Sequence, residues 1–238
     1  MRRLIRADLR RIFRKKSYYI FASLMCLFIF FWTFSEEPSE QVGYLHENLN
    51  SMCLLFISLP LILSVYGDEL RSGTMQGAIG RGLSRTKLIR GKMTDCAVLA
   101  IPLFATWYLT AALKNLLFEI VLTSRQYEML LIYLIISWIK LLIILAISAM
   151  FILLSWNAVL GIFIDLLLLY ILDPLLKSIQ VVTRVPVRDG SFYGLLDKAY
   201  AAIEAGNPAW QLPVAVIVYL CFVIILTGII FERKELPL

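Results

Sequence analysis

Apolar residues in this chain gather into runs of about twenty, the length a helix needs to cross a hydrocarbon core roughly 30 Å thick at about 1.5 Å per residue. The runs read as six spans: Tyr18–Phe34, Ser51–Tyr66, Thr94–Leu117, Met129–Leu154, Ala158–Asp173 and Trp210–Phe231. Residues 129–173 are almost unbroken apolar sequence, too long for one bilayer helix, so the stretch divides at Ser155-Trp156-Asn157, where Asn favours a turn. The chain of 238 residues is 60% hydrophobic, against roughly 45–50% for soluble domains, which agrees with a membrane solvent. Before the first apolar run stands a long basic leader. That run is rich in aromatics and no small-residue cleavage site follows it, so a retained span is expected rather than a cleaved signal.

The formal charge of +6 does not imply nucleic acid, because the basic residues flank spans and report orientation instead. Arg2, Arg3, Arg6, Arg10, Arg11, Arg14, Lys15 and Lys16 precede the first span. Arg71, Arg81, Arg85, Lys87, Arg90 and Lys92 lie between the second and third, and Arg233 and Lys234 follow the sixth. The loop from Ser35 to Asn50 has no Lys or Arg but carries Glu36, Glu37, Glu40 and Glu47. The positive-inside rule then places both ends in the cytoplasm, and an even number of spans satisfies that.

Three segments outside the spans have internal pattern. Residues 1–17 read as an amphipathic helix, with Leu4, Ile5, Leu9, Ile12 and Phe13 on one side. Arg3, Arg6, Arg10 and Arg14 lie among the basic residues opposite, suited to anionic headgroups. In residues 67–92, Gly73-Thr74 opens a short helix with Met75 and Ile79 on one face, Gly80-Arg81-Gly82 breaks it, and Ser84 is placed to cap the next. In the external segment, residues 174–209, Ser191 is placed to cap a helix striped by Phe192, Leu195, Leu196, Ala199 and Ile203. Gly206 and Pro208 then end it.

Taken together, Glu69-Leu70-Arg71-Ser72-Gly73-Thr74, Leu83-Ser84-Arg85 and Lys92, set between the second and third of six spans behind a basic amphipathic leader, resemble the permease subunits of type-2 ABC transporters. The resemblance implies an all-α integral membrane domain over residues 1–238, seated in a bacterial cytoplasmic membrane. It also implies a cytoplasmic ATPase subunit as partner, with a second permease copy or a paralogue completing the pathway. ATP and Mg would be bound by that partner, because no G-x-x-x-x-G-K-[ST] occurs here. The coupling residues implied are Glu69, Gly73, Thr74, Met75, Ile79, Ser84 and Arg85, with Trp156 at a second, smaller contact. In size and character the chain is similar to small Gram-positive exporters of amphipathic or antimicrobial peptides and to lantibiotic-immunity permeases. The same permease class serving a drug, a lipid-linked glycan or sodium is an alternative, as is a channel or structural membrane partner with no ATPase.

Charges within spans cost roughly 2.5–3.5 kcal/mol each on insertion scales and so ask for partners. Counted from the turn at Trp156, Lys140 and Asp173 fall at matching depth and are expected to pair, while Asp165 matches neither. Lys114, near the outer end of its span, is expected to snorkel outward. Enzyme chemistry finds little support: the single histidine, His46, sits in the acidic outer loop and is expected to be solvated. No HExxH, multi-His site or G-x-S-x-G can be assembled. Cys26, Cys53, Cys96 and Cys221 all lie in apolar stretches without CxxC spacing, as buried thiols do.

Overall fold

In the computed structural model residues 2–32, 38–206 and 211–233 are described, and every regular element among them is helical. The leader forms α1 (Arg2–Ile12), followed by apolar α2 (Lys16–Trp32). Helical backbone then runs through α3 (Pro38–Asn48), α4 (Leu54–Leu61) and α5 (Asp68–Ser72), joined by π-helical segments Leu49–Cys53 and Ile62–Gly67. The remaining elements are α6 (Thr74–Gly80), α7 (Arg85–Leu117), α8 (Ser124–Ser155), α9 (Ala158–Leu166), α10 (Leu172–Thr183), α11 (Phe192–Glu204) and α12 (Gln211–Arg233). Another π-helical segment, Leu167–Ile171, joins α9 to α10.

Among the described residues four helices are long and apolar enough to cross a membrane, by length and composition: Arg85–Leu117, Ser124–Ser155, Ala158–Thr183 and Val214–Glu232. Helix α2 is apolar but shorter. The segment read as the second span, Ser51–Tyr66, lies inside the helical run broken by the first two π-helical segments. Pro60 lacks the N–H that the Phe56 carbonyl would receive, and the wider turns of Ile62–Gly67 follow it directly.

Helix α8 is the centre of the bundle, with residues 141–146 buried all round and α12, α9 and α7 packed on it. A helix apolar on every face needs neighbours or lipid on every side. Its first turn is closed by a capping box between Thr123 and Gln126. The division at Ser155–Asn157 falls where the sequence places it. Trp156 ends α8 with φ 55°, and the Asn157 side chain accepts the Val159 N–H at 2.9 Å to start α9. The returning helix lies close: at Gly161 any Cβ would overlap the Ile152 side chain of α8.

Three expectations about segments are corrected. The segment read as an outer loop is helical over its described residues from Pro38, and buries Gln41, Leu45 and Leu49 at a four-residue spacing. The helix read as the fifth span does not stop at Asp173. The helix continues through Pro174 to Thr183, since the π-helical turns just before Pro174 absorb its missing N–H. Ser84 occupies the N-cap position of α7 with extended backbone, but its side chain makes no capping bond. Ser191 does cap α11, accepting the Gly194 N–H at 3.4 Å. Gly206 adopts φ +73°, while Pro208 lies outside the described residues.

Candidate functional site

Beneath the segment expected to transmit force lies a knot of charges that the fold assembles from three elements. Lys92, on the first turns of α7, has its ammonium 2.6 Å from the Asp8 carboxylate of α1 and 2.5 Å from Glu69 of α5. Arg11 of α1 reaches the same Glu69 oxygen at 2.5 Å and stands 3.7 Å from Asp8. Asp95, one turn along α7, lies 3.8 Å from Lys92. Lys92 is 2% exposed and Glu69 4%, so these ions have left water and their attraction is little screened. At the rim, Lys15 pairs with Asp68 and donates to the Ser64 carbonyl at 3.3 Å. Burial lowers the pKa of the Lys15 ammonium and the nearby Arg11 lowers it further, with Glu69 pulling the other way.

The turn that follows depends on Gly73. Its φ of +66° is left-handed, and its N–H closes α5 on the Leu70 carbonyl at 3.3 Å before α6 leaves in a new direction. Thr74 hydroxyl contacts to Ser72 at 3.1 Å and the Glu69 carbonyl at 3.4 Å fasten the corner. The expectation for Met75 and Ile79 is corrected. Met75 is 1% exposed and packs into the chain's own core, and Ile79 packs against that core too. Their stripe holds α6 to the bundle, because the same apolar spacing fits a helix lying on its own domain. The outward face of α6 presents Thr74, Gly77 and Gly80, bordered by the exposed Arg71, Arg81, Lys87 and Arg90.

Arg85 and Trp156 meet at a residue the motif does not contain. Arg85 donates to the Phe231 and Glu232 carbonyls at 2.7 and 3.1 Å, which satisfies the open carbonyl end of α12. Its guanidinium also stands 5.4 Å from the Phe231 ring, and Trp156 packs on that ring at 5.9 Å. Thr86 adds a hydroxyl bond to the Glu232 carboxylate. The start of α7, the α8–α9 turn and the end of α12 are thus bolted together.

At the opposite end Lys140 and Asp173 do not form the expected ion pair. Asp173 is held by Arg188 at 2.7 Å and Lys177 at 3.0 Å, and Arg188 also pairs with Asp197 of α11. Lys140 instead faces Asn50 at 3.5 Å and the Tyr193 ring at 5.8 Å. Matching depth does not fix which way two side chains point around their helices, and Lys177 of α10 and Arg188, in the turn before α11, are nearer partners for Asp173. Asn50 also accepts from Ser137 at 3.3 Å and from Tyr200 at 3.5 Å; burial pushes the Tyr200 phenol up to about 12, so it stays a donor. His46, expected to be solvated, packs between Tyr133 and Tyr200 and stands 2.8 Å from the Asn50 amide. Lys114 does not snorkel either: it is fully buried and donates to the Ile29 carbonyl near the end of α2 at 3.0 Å.

On α1, Arg6, Arg10 and Arg14 are exposed, whereas Arg11 turns inward to the knot and the Arg3 side chain lies outside the described residues. Asp8 could have been found from sequence as the one acidic residue in the basic leader. Lys92 was already marked by the sequence as a cation entering an apolar run. Phe231 and Asn50 carry no such signal. Among the described residues no group of three or more His, Cys, Asp or Glu converges to hold a metal ion. No known protein-family model matches the sequence, and no curated protein matches it significantly.

Proposed function

We propose that the chain is the membrane subunit of an ATP-driven exporter of the type-2 ABC class, working with a separate cytoplasmic ATPase. The observation that supports this best is the knot of Asp8, Arg11, Glu69 and Lys92, which ties α1, the Gly73 corner and the start of α7 into one unit. A segment built to receive motion from a partner must not flex by itself, and buried ion pairs in one dielectric pocket resist shear between the elements they join. The docking surface in this reading is the outward face of α6 and its basic border, with Met75 and Ile79 supporting it from beneath. The Arg85–Phe231–Trp156 bolt passes the motion on to α12 and the α8–α9 turn.

In this reading the chain crosses the bacterial cytoplasmic membrane six times with both ends inside, and α1 rests its exposed arginines on anionic lipid. A second copy or a paralogue completes the pathway. The broad apolar faces of α7, α9 and α12 suit an amphipathic peptide that partitions into the leaflet, more than a polar solute. The test is reconstitution with the ATPase that co-purifies from the native membrane. ATP-dependent efflux of amphipathic peptides from vesicles, abolished by a charge reversal on the α6 border such as Arg81→Glu, is expected. The reading fails if no ATPase associates, or if peptide efflux proceeds equally without ATP.

A further inference from the structure

Asp165 of α9 is fully buried about nine residues beyond the Trp156 turn, roughly 14 Å into the bundle at 1.5 Å per residue. Among the described residues its carboxyl has no cation within ion-pair distance. Its one hydrogen-bond partner is the hydroxyl of Ser58 on α4, also fully buried, at 2.6 Å. The second carboxyl oxygen has no donor. An ionised carboxylate in this position would carry its charge against one neutral hydroxyl in a low-dielectric interior.

The Ser58 hydroxyl also stands 3.3 Å from the Leu55 carbonyl. A hydroxyl has one hydrogen and cannot donate to both oxygens. If Asp165 is ionised, Ser58 turns to it and the Leu55 contact is empty. If Asp165 carries a proton, the carboxyl donates to Ser58 Oγ and Ser58 donates on to the Leu55 carbonyl. Both contacts are then hydrogen bonds and no charge is buried. The pair also joins two helices where each changes character: π-helical Ile62–Gly67 begins four residues after Ser58, and Leu167–Ile171 two residues after Asp165. Such segments recur at functional sites and tolerate local rearrangement. The ionisable groups that feel the Asp165 carboxyl are Tyr170 and Tyr193, neither of which offers a positive charge.

We propose that Asp165 and Ser58 form a proton-binding site inside the bundle, in which the bound proton bridges α4 to α9 and its loss frees the two helices to part. The site is independent of the cargo and of the ATPase. Infrared spectra of the full chain in lipid nanodiscs at pH 7 test it. A protonated-carboxyl C=O band that shifts in D2O, disappears in Asp165→Asn and moves to higher frequency in Ser58→Ala is the expected result. Asparagine preserves the shape and one donor to Ser58. Should it still misfold, the shift in Ser58→Ala assigns the band by itself. The proposal is overturned if Asp165 contributes a carboxylate band at pH 7. A carboxylate band that responds to sodium but not to pH would overturn it in favour of a metal cation.

Discussion

Lys92→Met separates the knot from an ordinary surface salt bridge. The substitution keeps the length of the stem, which packs between α1 and α5, and removes the ammonium that neutralises Asp8 and Glu69 at 2.6 and 2.5 Å. Arg11 can still reach Glu69, but Asp8 keeps only a 3.7 Å contact to it and Asp95 loses its one cation. Removing one partner of a buried pair costs about 3–5 kcal/mol, whereas an exposed pair is worth about 0–1 kcal/mol. At about 2–4 °C per kcal/mol for a chain of this size, the midpoint should fall by roughly 6–20 °C. Cys96 is fully buried and adjoins Asp95, so once the less buried Cys26 and Cys221 are replaced by Ser, a thiol-reactive dye in detergent reports the opening of this region. The apolar combination Asp8→Leu, Glu69→Leu, Lys92→Met, with Asp95→Asn to remove the remaining buried carboxylate, should recover most of the loss, because it leaves no buried carboxylate without a cation. A midpoint for Lys92→Met within about 2 °C of the parent, less than 1 kcal/mol on the same scale, would refute the reasoning.

Other outcomes follow from the same geometry. Gly194→Ala would push a Cβ into the backbone of Arg188 and Asp189, which cannot rotate away, and should cost about 1–3 kcal/mol, read as earlier proteolysis of the segment before α12. Phe231→Ala removes the ring that receives Arg85 and Trp156 and should cost about 3–5 kcal/mol in the same thermal assay. Lys15 binds its proton more weakly in the folded chain than at the unfolded value of 10.5, so the unfolded state holds more protons between the two and stability rises with pH there. Lys15→Met should flatten that rise, and an unchanged slope in midpoint against pH would count against the assignment.

Much of the architecture is legible in local pattern. Apolar runs of bilayer length, basic flanks, the Ser-Trp-Asn break and the cap at Ser191 depend on residues near one another in the chain. The helices begin and end close to where those signals lie. The outer helix α3 shows the limit of this: its acidic residues suggest a loop, while the four-residue spacing of Gln41, Leu45 and Leu49 carries the helix. Π-helical segments have no comparable signature, and Pro60 and Pro174 locate only two of the three.

The functional residues divide along the same line. Glu69, Gly73 and Lys92 stand out because each is chemically unusual for its place, and α5, its corner and α7 then bring them within one knot. The partner of a charge is a different matter, since it depends on the rotation of each helix about its axis and on which third element intervenes. Depth alone pairs Lys140 with Asp173; helix rotation and the turn before α11 hand Asp173 to Arg188, and Lys140 faces Asn50. The same holds for Met75, whose spacing defines an apolar face without saying which surface that face meets. The sequence by itself therefore determined most of the helices, their order and the place of the Gly73 corner, because these follow from short-range periodicity and charge. Only the tertiary structure decided that Asp8, Phe231 and Ser58 belong to the working parts, because each acts through a residue 84 to 146 positions away in the chain that packing alone brings near.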